Sequence, residues 1–317
     1  MYKTPPVNIV LQTLFYGIFI LLLMLPFALE GNTFENIEVN YIDNDHHVSI
    51  AGKKVGNHYT FNSNSKKILR LATLNWPPYI NEEQCNMGWV FQLTVAMLVS
   101  KGYQVRIQFL PWKRAVRVVE LGDHDILFPE YFFDETVYSQ NLENTRRRTI
   151  TALSDHFDGG LLRLVKRRGV DDPFRGDLSI LKNNIFGVVR GYQNTPVFDQ
   201  MVVNGQLKTI EAGDELQLVK MLLAKRVDYI VVDPKVLDYV IKHSSLTKIQ
   251  KVRMLTGIEN VEPALQYNYL YYAISKKSSH WLEIQQDINA ALATFKGNAE
   301  IQRMIKTNEQ CAERIYN

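Results

Sequence analysis

Leu69-Arg70-Leu71-Ala72-Thr73-Leu74, running into Trp76-Pro77-Pro78-Tyr79, is the stretch that decides the fold. The first six residues read as a strand, and the paired prolines make the aromatic segment after it a rigid turn. Gly88 and an apolar helix over about 89–101 follow, with Val90, Leu93 and Met97 on one face and Gly102 as the C-terminal cap. Val105-Arg106-Ile107-Gln108-Phe109 is a second strand, and Pro111-Trp112-Lys113-Arg114-Ala115 opens a second helix that ends at Gly122. Ile126-Leu127-Phe128 is then a short buried strand. The order is βαβαβ, and in open α/β sheets ligands sit at the carboxyl ends of the strands, where this chain puts Trp76.

Working outward, a second unit repeats this logic. It starts at Gly159-Gly160 with the strand Leu161-Leu162-Arg163-Leu164-Val165 and continues with Ile185-Phe186-Gly187-Val188-Val189. That strand leads into Arg190-Gly191-Tyr192-Gln193-Asn194 and a helix around 196–203. The helix over 215–224 buries Leu216, Val219, Leu222 and Leu223, and Tyr229-Ile230-Val231-Val232 ends at Asp233 with Pro234 opening the next helix. A strand over 266–274 and two closing helices complete the chain. With 317 residues there is length for two lobes of about 100–150 residues, each with its own core.

A formal net charge of +3 is too close to neutral to argue for nucleic acid, and the runs at 146–148 and 166–168 read as solvated basic faces. Lys3, an apolar run over 14–25 and then Pro26-Phe27-Ala28 make residues 1–30 a secretory signal peptide, with an uncleaved anchor as the alternative. The run is shorter than the roughly 20 residues that span a bilayer. Residues 31–65 are polar and Asn-rich and read as a linker or extension, with room for a short hairpin between 38 and 60. The two cysteines, Cys85 and Cys311, either pair in an oxidising compartment or remain thiols. The seven histidines show no metal spacing, and no catalytic constellation or cofactor motif is legible.

In this order the elements resemble the bacterial extracellular solute-binding proteins of family 3, the amino-acid-type periplasmic receptors of ABC importers. The resemblance covers about 67–308. It rests on Trp76-Pro77-Pro78-Tyr79, Gly88, 111–115, Gly122 with Asp125, and Arg147 seven residues before Ser154. It continues with Gly187-Val188-Val189-Arg190-Gly191, Arg226-Val227-Asp228 with Asp233, and Tyr272-Ala273-Ile274-Ser275-Lys276 ahead of a helix holding Asn289 and Leu292. The resemblance implies an α/β, two-lobed type II periplasmic binding protein fold with two crossover hinge strands. Lobe 1 would comprise 66–161 and 270–317, lobe 2 would comprise 162–269, and the hinge would lie at 161–164 and 266–271. It also makes a Cys85–Cys311 disulfide plausible, because the C-terminal segment returns to lobe 1. A periplasmic monomer is implied that hands a small solute to an inner-membrane ABC permease, with no nucleic acid, cofactor or metal.

The same resemblance supplies candidate ligand contacts. Trp76 offers a flat ring with apolar area and a face for a cation; the bland alternative is a core tryptophan. Arg147 matches the family's carboxylate-binding Arg, whose fork gives two parallel hydrogen bonds. Asn144 stands where the family has Thr, and Arg146 and Arg148 are rival guanidinium groups. Glu130 falls where relatives carry small hydroxyl residues, ahead of an unusually long loop. With Tyr131 it suits an amine or hydroxyls, and it equally suits a pair with Lys113 or Arg114. Gly191, Tyr192 and Gln193 precede a helix and offer backbone N–H groups to an anionic end. Asp233 matches the position that holds a ligand ammonium, and it also suits an N-cap. Glu130 further keeps open a dehydratase-like enzyme of this fold, and an uncleaved N-terminus would favour an anchored sensory receptor.

Overall fold

The structure is a computed structural model, described over residues 36–43 and 46–316, so the expected signal peptide lies outside the described residues. Three strands open the described chain: β1 (Asn36–Asp43), β2 (His46–Val55) and β3 (His58–Phe61). They form an antiparallel meander that joins the main sheet through β3, with Tyr59 opposite Ile107. These strands replace a linker over the described part of 31–65 with an ordered extension, and they include the short hairpin for which 38–60 had room. Gly56, with φ of +60, and Asn57 make the two-residue turn between β2 and β3, as a hairpin with glycine at the first turn position requires.

The next strand is β4 (Ile68–Thr73), and helix α1 (Trp89–Ser100) leads to β5 (Gln104–Phe109). Helix α2 (Trp112–Glu120) then leads to β6 (Ile126–Glu130), and β4 lies parallel between β5 and β6. Helix α1 buries every residue from Trp89 to Leu98 rather than one face. After the short α3 (Arg147–Ile150) and β7 (Thr151–Leu153), strand β8 (Phe157–Arg167) runs out of this lobe.

The second lobe holds β9 (Ile185–Val189), α4 (Pro196–Val203), β10 (Lys208–Ala212), α5 (Glu215–Leu223) and β11 (Tyr229–Val232). Helices α6 (Pro234–His243) and α7 (Lys248–Gly257) and strand β12 (Ile258–Asn260) follow. Strand β9 is parallel to both β10 and β11. Strand β13 (Gln266–Ser275) returns antiparallel to β8 along 266–270 and to β6 and β7 along 271–275. The upper part of β8 pairs with β11 instead, so β8 and β13 are the strands shared by both halves of the sheet.

Helices α8 (Trp281–Gly297) and α9 (Glu300–Tyr316) close the first lobe and, with β1, cover the outer side of α1, which is why that helix is buried all round. Cys311 on α9 is disulfide-bonded to Cys85, 226 residues away, with the two Cα atoms 6.0 Å apart. The N-terminal strand is held to the same helix: the Ile42 N–H donates to Glu300 Oε1 at 3.0 Å, and Arg303 donates to the Asn40 carbonyl at 3.1 Å. Among the described residues, no helix is long and apolar enough to cross a membrane.

Candidate functional site

The strand ends gather the site. Strand β4 delivers Trp76, β6 ends at Glu130, β9 leads to Gly191 and Tyr192, and β11 ends at Asp233, so four carboxyl termini meet between the lobes. A small cavity there, about 20 Å³ and so with room for a single water-sized group, is lined by Trp76, Trp112, Glu130, Tyr131, Tyr192 and Gln193 among others.

Trp76 is held by a bridge to Ile80 and stacks on Tyr79, ring centroids 4.4 Å apart at 17°. Tyr131 meets Trp76 edge-on at 5.7 Å, and Trp112 meets Tyr192 edge-on at 6.0 Å. The second pair crosses between lobes, and the Trp112 indole N–H donates to the Gly191 carbonyl at 3.0 Å. Gly191 has φ of +82, which a side chain rarely adopts, so glycine suits this turn.

Asp233 takes the N-cap role expected of it, and its second oxygen is engaged across the cleft. Its Oδ1 accepts from the Lys235 N–H at 2.8 Å and caps α6, while its Oδ2 accepts from the Tyr79 hydroxyl at 2.6 Å across the cleft. Burial pushes its carboxyl up, against the lowering effect of the Tyr79 bond. Gly160 on β8 leaves room for this contact, since a methyl group there would overlap Asp233 Oδ2 and the Tyr79 hydroxyl.

Arg147 was expected to present its fork to a ligand carboxylate. The structure engages two of its nitrogens within the protein: Nε donates to Glu120 Oε1 and Nη2 to Glu130 Oε2, each at 2.8 Å, with the guanidinium 4.0 Å over the Phe133 ring. All three charged groups are buried, with 1–3% of their surface exposed. Glu130 therefore pairs with Arg147 rather than with Lys113 or Arg114, and its other oxygen accepts from the Tyr131 N–H at 2.9 Å. Burial pushes the Glu130 carboxyl up, and Arg147 pulls the other way. Glu120 also accepts from Ser139 at 2.6 Å and Asn141 at 2.7 Å, which ties the long loop after β6 to α2.

Sequence reasoning missed Glu215. It opens α5, where an acid reads as ordinary helix-start chemistry. Here its carboxyl is buried and burial pushes it up to about 7, with the backbone at the helix start and the nearby Tyr192 and Trp76 pulling the other way. Glu215, Asp233 and Glu130 all act electrostatically on the buried Tyr131 phenol. Tyr79 and Trp112 are the other contacts the sequence did not place in the site, because their hydrogen-bond partners, Asp233 and Gly191, come from the other lobe. Among the described residues, no group of histidine, cysteine and acidic side chains is arranged to hold a metal.

No protein-family model matches the chain, and no curated protein sequence matches it. Solved structures do. An ancestral arginine-binding protein bound to arginine has a TM-score of 0.58 at 20% identity, covering 77% of this chain and 98% of its own. A histidine kinase sensor domain with similarity to periplasmic binding proteins has a TM-score of 0.57 at 17% identity, covering 77% and 96%. The GluR0 ligand-binding core from Nostoc punctiforme in complex with L-glutamate has a TM-score of 0.55 at 16% identity, covering 75% and 98%. The chain thus has the two-lobed α/β fold of the type II periplasmic binding proteins, the fold of the family 3 solute-binding proteins that its sequence resembles.

Proposed function

We propose that this protein is an exported solute receptor that captures a small polar molecule between its lobes by hinge closure. The observation that carries the reading is the convergence of four strand ends on one aromatic and acidic cleft, with Tyr79–Asp233 and Trp112–Gly191 hydrogen bonds reaching across it. In this reading lobe 1 is 66–161 with 270–317, to which the 36–61 meander is added, lobe 2 is 162–269, and the hinge lies at 161–164 and 266–271. Trp76 and Tyr131 form the wall met first, and closure brings the Gly191–Tyr192–Gln193 turn and Asp233 onto the solute. The cellular part of the proposal is a monomer in the periplasm, exported by residues 1–30, that passes its solute to an ABC permease. The enzyme alternative gains nothing from the geometry, since Glu130 is held by Arg147 and the Tyr131 N–H.

A carboxylate-bearing ligand, the form implied by the family resemblance, would have to share or replace Glu130 and Glu120 on Arg147, whose Nη2 and Nε they already hold. The test is mass spectrometry of whatever co-purifies with the exported protein, followed by small-angle scattering with and without that compound. Compaction on adding it is expected; a compound that binds with no change in scattering sinks the closure reading.

A further inference from the structure

The charges of the cleft do not balance. Four buried carboxylates, Glu120, Glu130, Glu215 and Asp233, share one buried cation, Arg147. Arg147 is shared by Glu120 and Glu130. Among the described residues no ion pair reaches Glu215 or Asp233; Asp233 accepts from Tyr79 and the Lys235 N–H, and Glu215 is buried in the first turn of α5. Helix starts and neutral donors stabilise a carboxylate, but buried charges are ordinarily paired, because desolvation is costly. The cavity at the same strand ends is lined by Glu130 and by four rings, Trp76, Trp112, Tyr131 and Tyr192, in two edge-to-face pairs. Aromatic faces beside unneutralised acids are the chemistry that holds an organic cation.

Resting on the solute-capture reading, we propose that the cleft selects carboxylate-free organic cations. An ammonium or guanidinium head sits among these four rings and is neutralised by Glu215 and Asp233. Glu130 is the built-in stand-in for a ligand carboxylate on Arg147. Two effects compete when an amino acid enters. Its carboxylate gains the Arg147 fork, but the displaced Glu130 becomes a further buried acid without a cation. Glu130 is tethered to the site and already pre-oriented by the Tyr131 N–H, so the internal partner wins.

The experiment uses three probe pairs in which one member carries a carboxylate and the other lacks it: agmatine and L-arginine, 2-phenylethylamine and L-phenylalanine, and choline, with a hydroxymethyl in place of the carboxylate, and glycine betaine. Calorimetry at pH 8 measures affinity, and small-angle scattering reports closure. In at least one pair the carboxylate-free member binds tenfold or more tightly than its counterpart, and Glu215→Gln lowers that affinity at least tenfold. Glu130→Gln frees one arm of Arg147 and narrows or reverses the preference. If the carboxylated member binds and closes the protein as well as its counterpart in every pair, the class is wrong and solute capture stands. If none of the six binds, the class is also wrong. If none of the six and no co-purifying compound changes the scattering, solute capture fails with it. A preference for the carboxylate-free members that survives Glu130→Gln unchanged removes Glu130 from the specificity argument.

Discussion

Replacing Arg147 with alanine separates two accounts of that residue. A fork waiting for a ligand carboxylate would be lost with little effect on folding. A fork buried between Glu120 and Glu130 leaves two sequestered carboxylates without their cation. Breaking a buried pair by removing one partner costs about 3–5 kcal/mol. The loss of the guanidinium over Phe133 adds to this cost, while the Ser139, Asn141 and Tyr131 donors that remain soften it. We therefore expect a net loss of about 3–5 kcal/mol. At about 2 °C per kcal/mol for a chain of this size, the calorimetric midpoint at pH 7.5 falls by about 6–10 °C. The gap narrows toward pH 5, because Glu130, already pushed up by burial, takes a proton and no longer needs the guanidinium. Replacing the trio together, Arg147→Met with Glu120→Gln and Glu130→Gln, recovers most of the loss. An Arg147→Ala midpoint within 2 °C of the parent, with folding otherwise intact, would refute this account.

Three further expectations follow from contacts already described. Tyr79→Phe leaves Asp233 Oδ2 without its donor, and a hydrogen bond to a charged group contributes about 1.5–3 kcal/mol; scattering should show a more open ligand-free molecule, as it should for Gly160→Ala, and an unchanged profile in both counts against the latch. Glu215 is raised from 4.5 to about 7, so its contribution favours the folded, closed protein below about pH 4.5 and is lost as pH rises to about 7. That swing is up to about 3 kcal/mol, and urea titrations of Glu215→Gln should lose this part of the pH dependence; an identical profile removes Glu215 from the account. Reducing Cys85–Cys311 opens a 226-residue loop, for which chain entropy gives about 5 kcal/mol as an upper value and 2–4 is usual; melting with and without reductant reads it, and a difference under about 1 kcal/mol contradicts a formed bond.

Strands such as β4, β5, β9 and β11 were legible because a buried parallel strand is a short apolar run with a turn after it. The meander was legible only as room for a short hairpin. The inner face of β2 alternates Ile50 with Gly52, and that glycine is there because the Phe61 ring lies where a side chain would go. With one of two inward positions blank, the alternation disappears from the sequence. In the site, the candidates Trp76, Glu130, Tyr192 and Gln193, named from a strand end and from the family resemblance, line one cavity. The occupation of Arg147 was not legible, since Glu120 stands 27 residues earlier at the end of α2 and the pairing depends on how the lobe packs. Glu215 was hidden because helix starts commonly carry acids for local reasons. The Cys85–Cys311 alternative, left open by two cysteines alone, is resolved in favour of the bond.

The seam that joins β1 to α9, together with the disulfide, has a mechanical consequence. Residues near both ends of the described chain are fastened to one lobe, through Ile42–Glu300, Asn40–Arg303 and Cys85–Cys311. The other lobe is joined covalently through β8 and β13. Tension applied between residue 36 and residue 311 is shunted through that seam and leaves the two crossover strands unloaded. The molecule can be gripped at both of these points without loading β8 or β13.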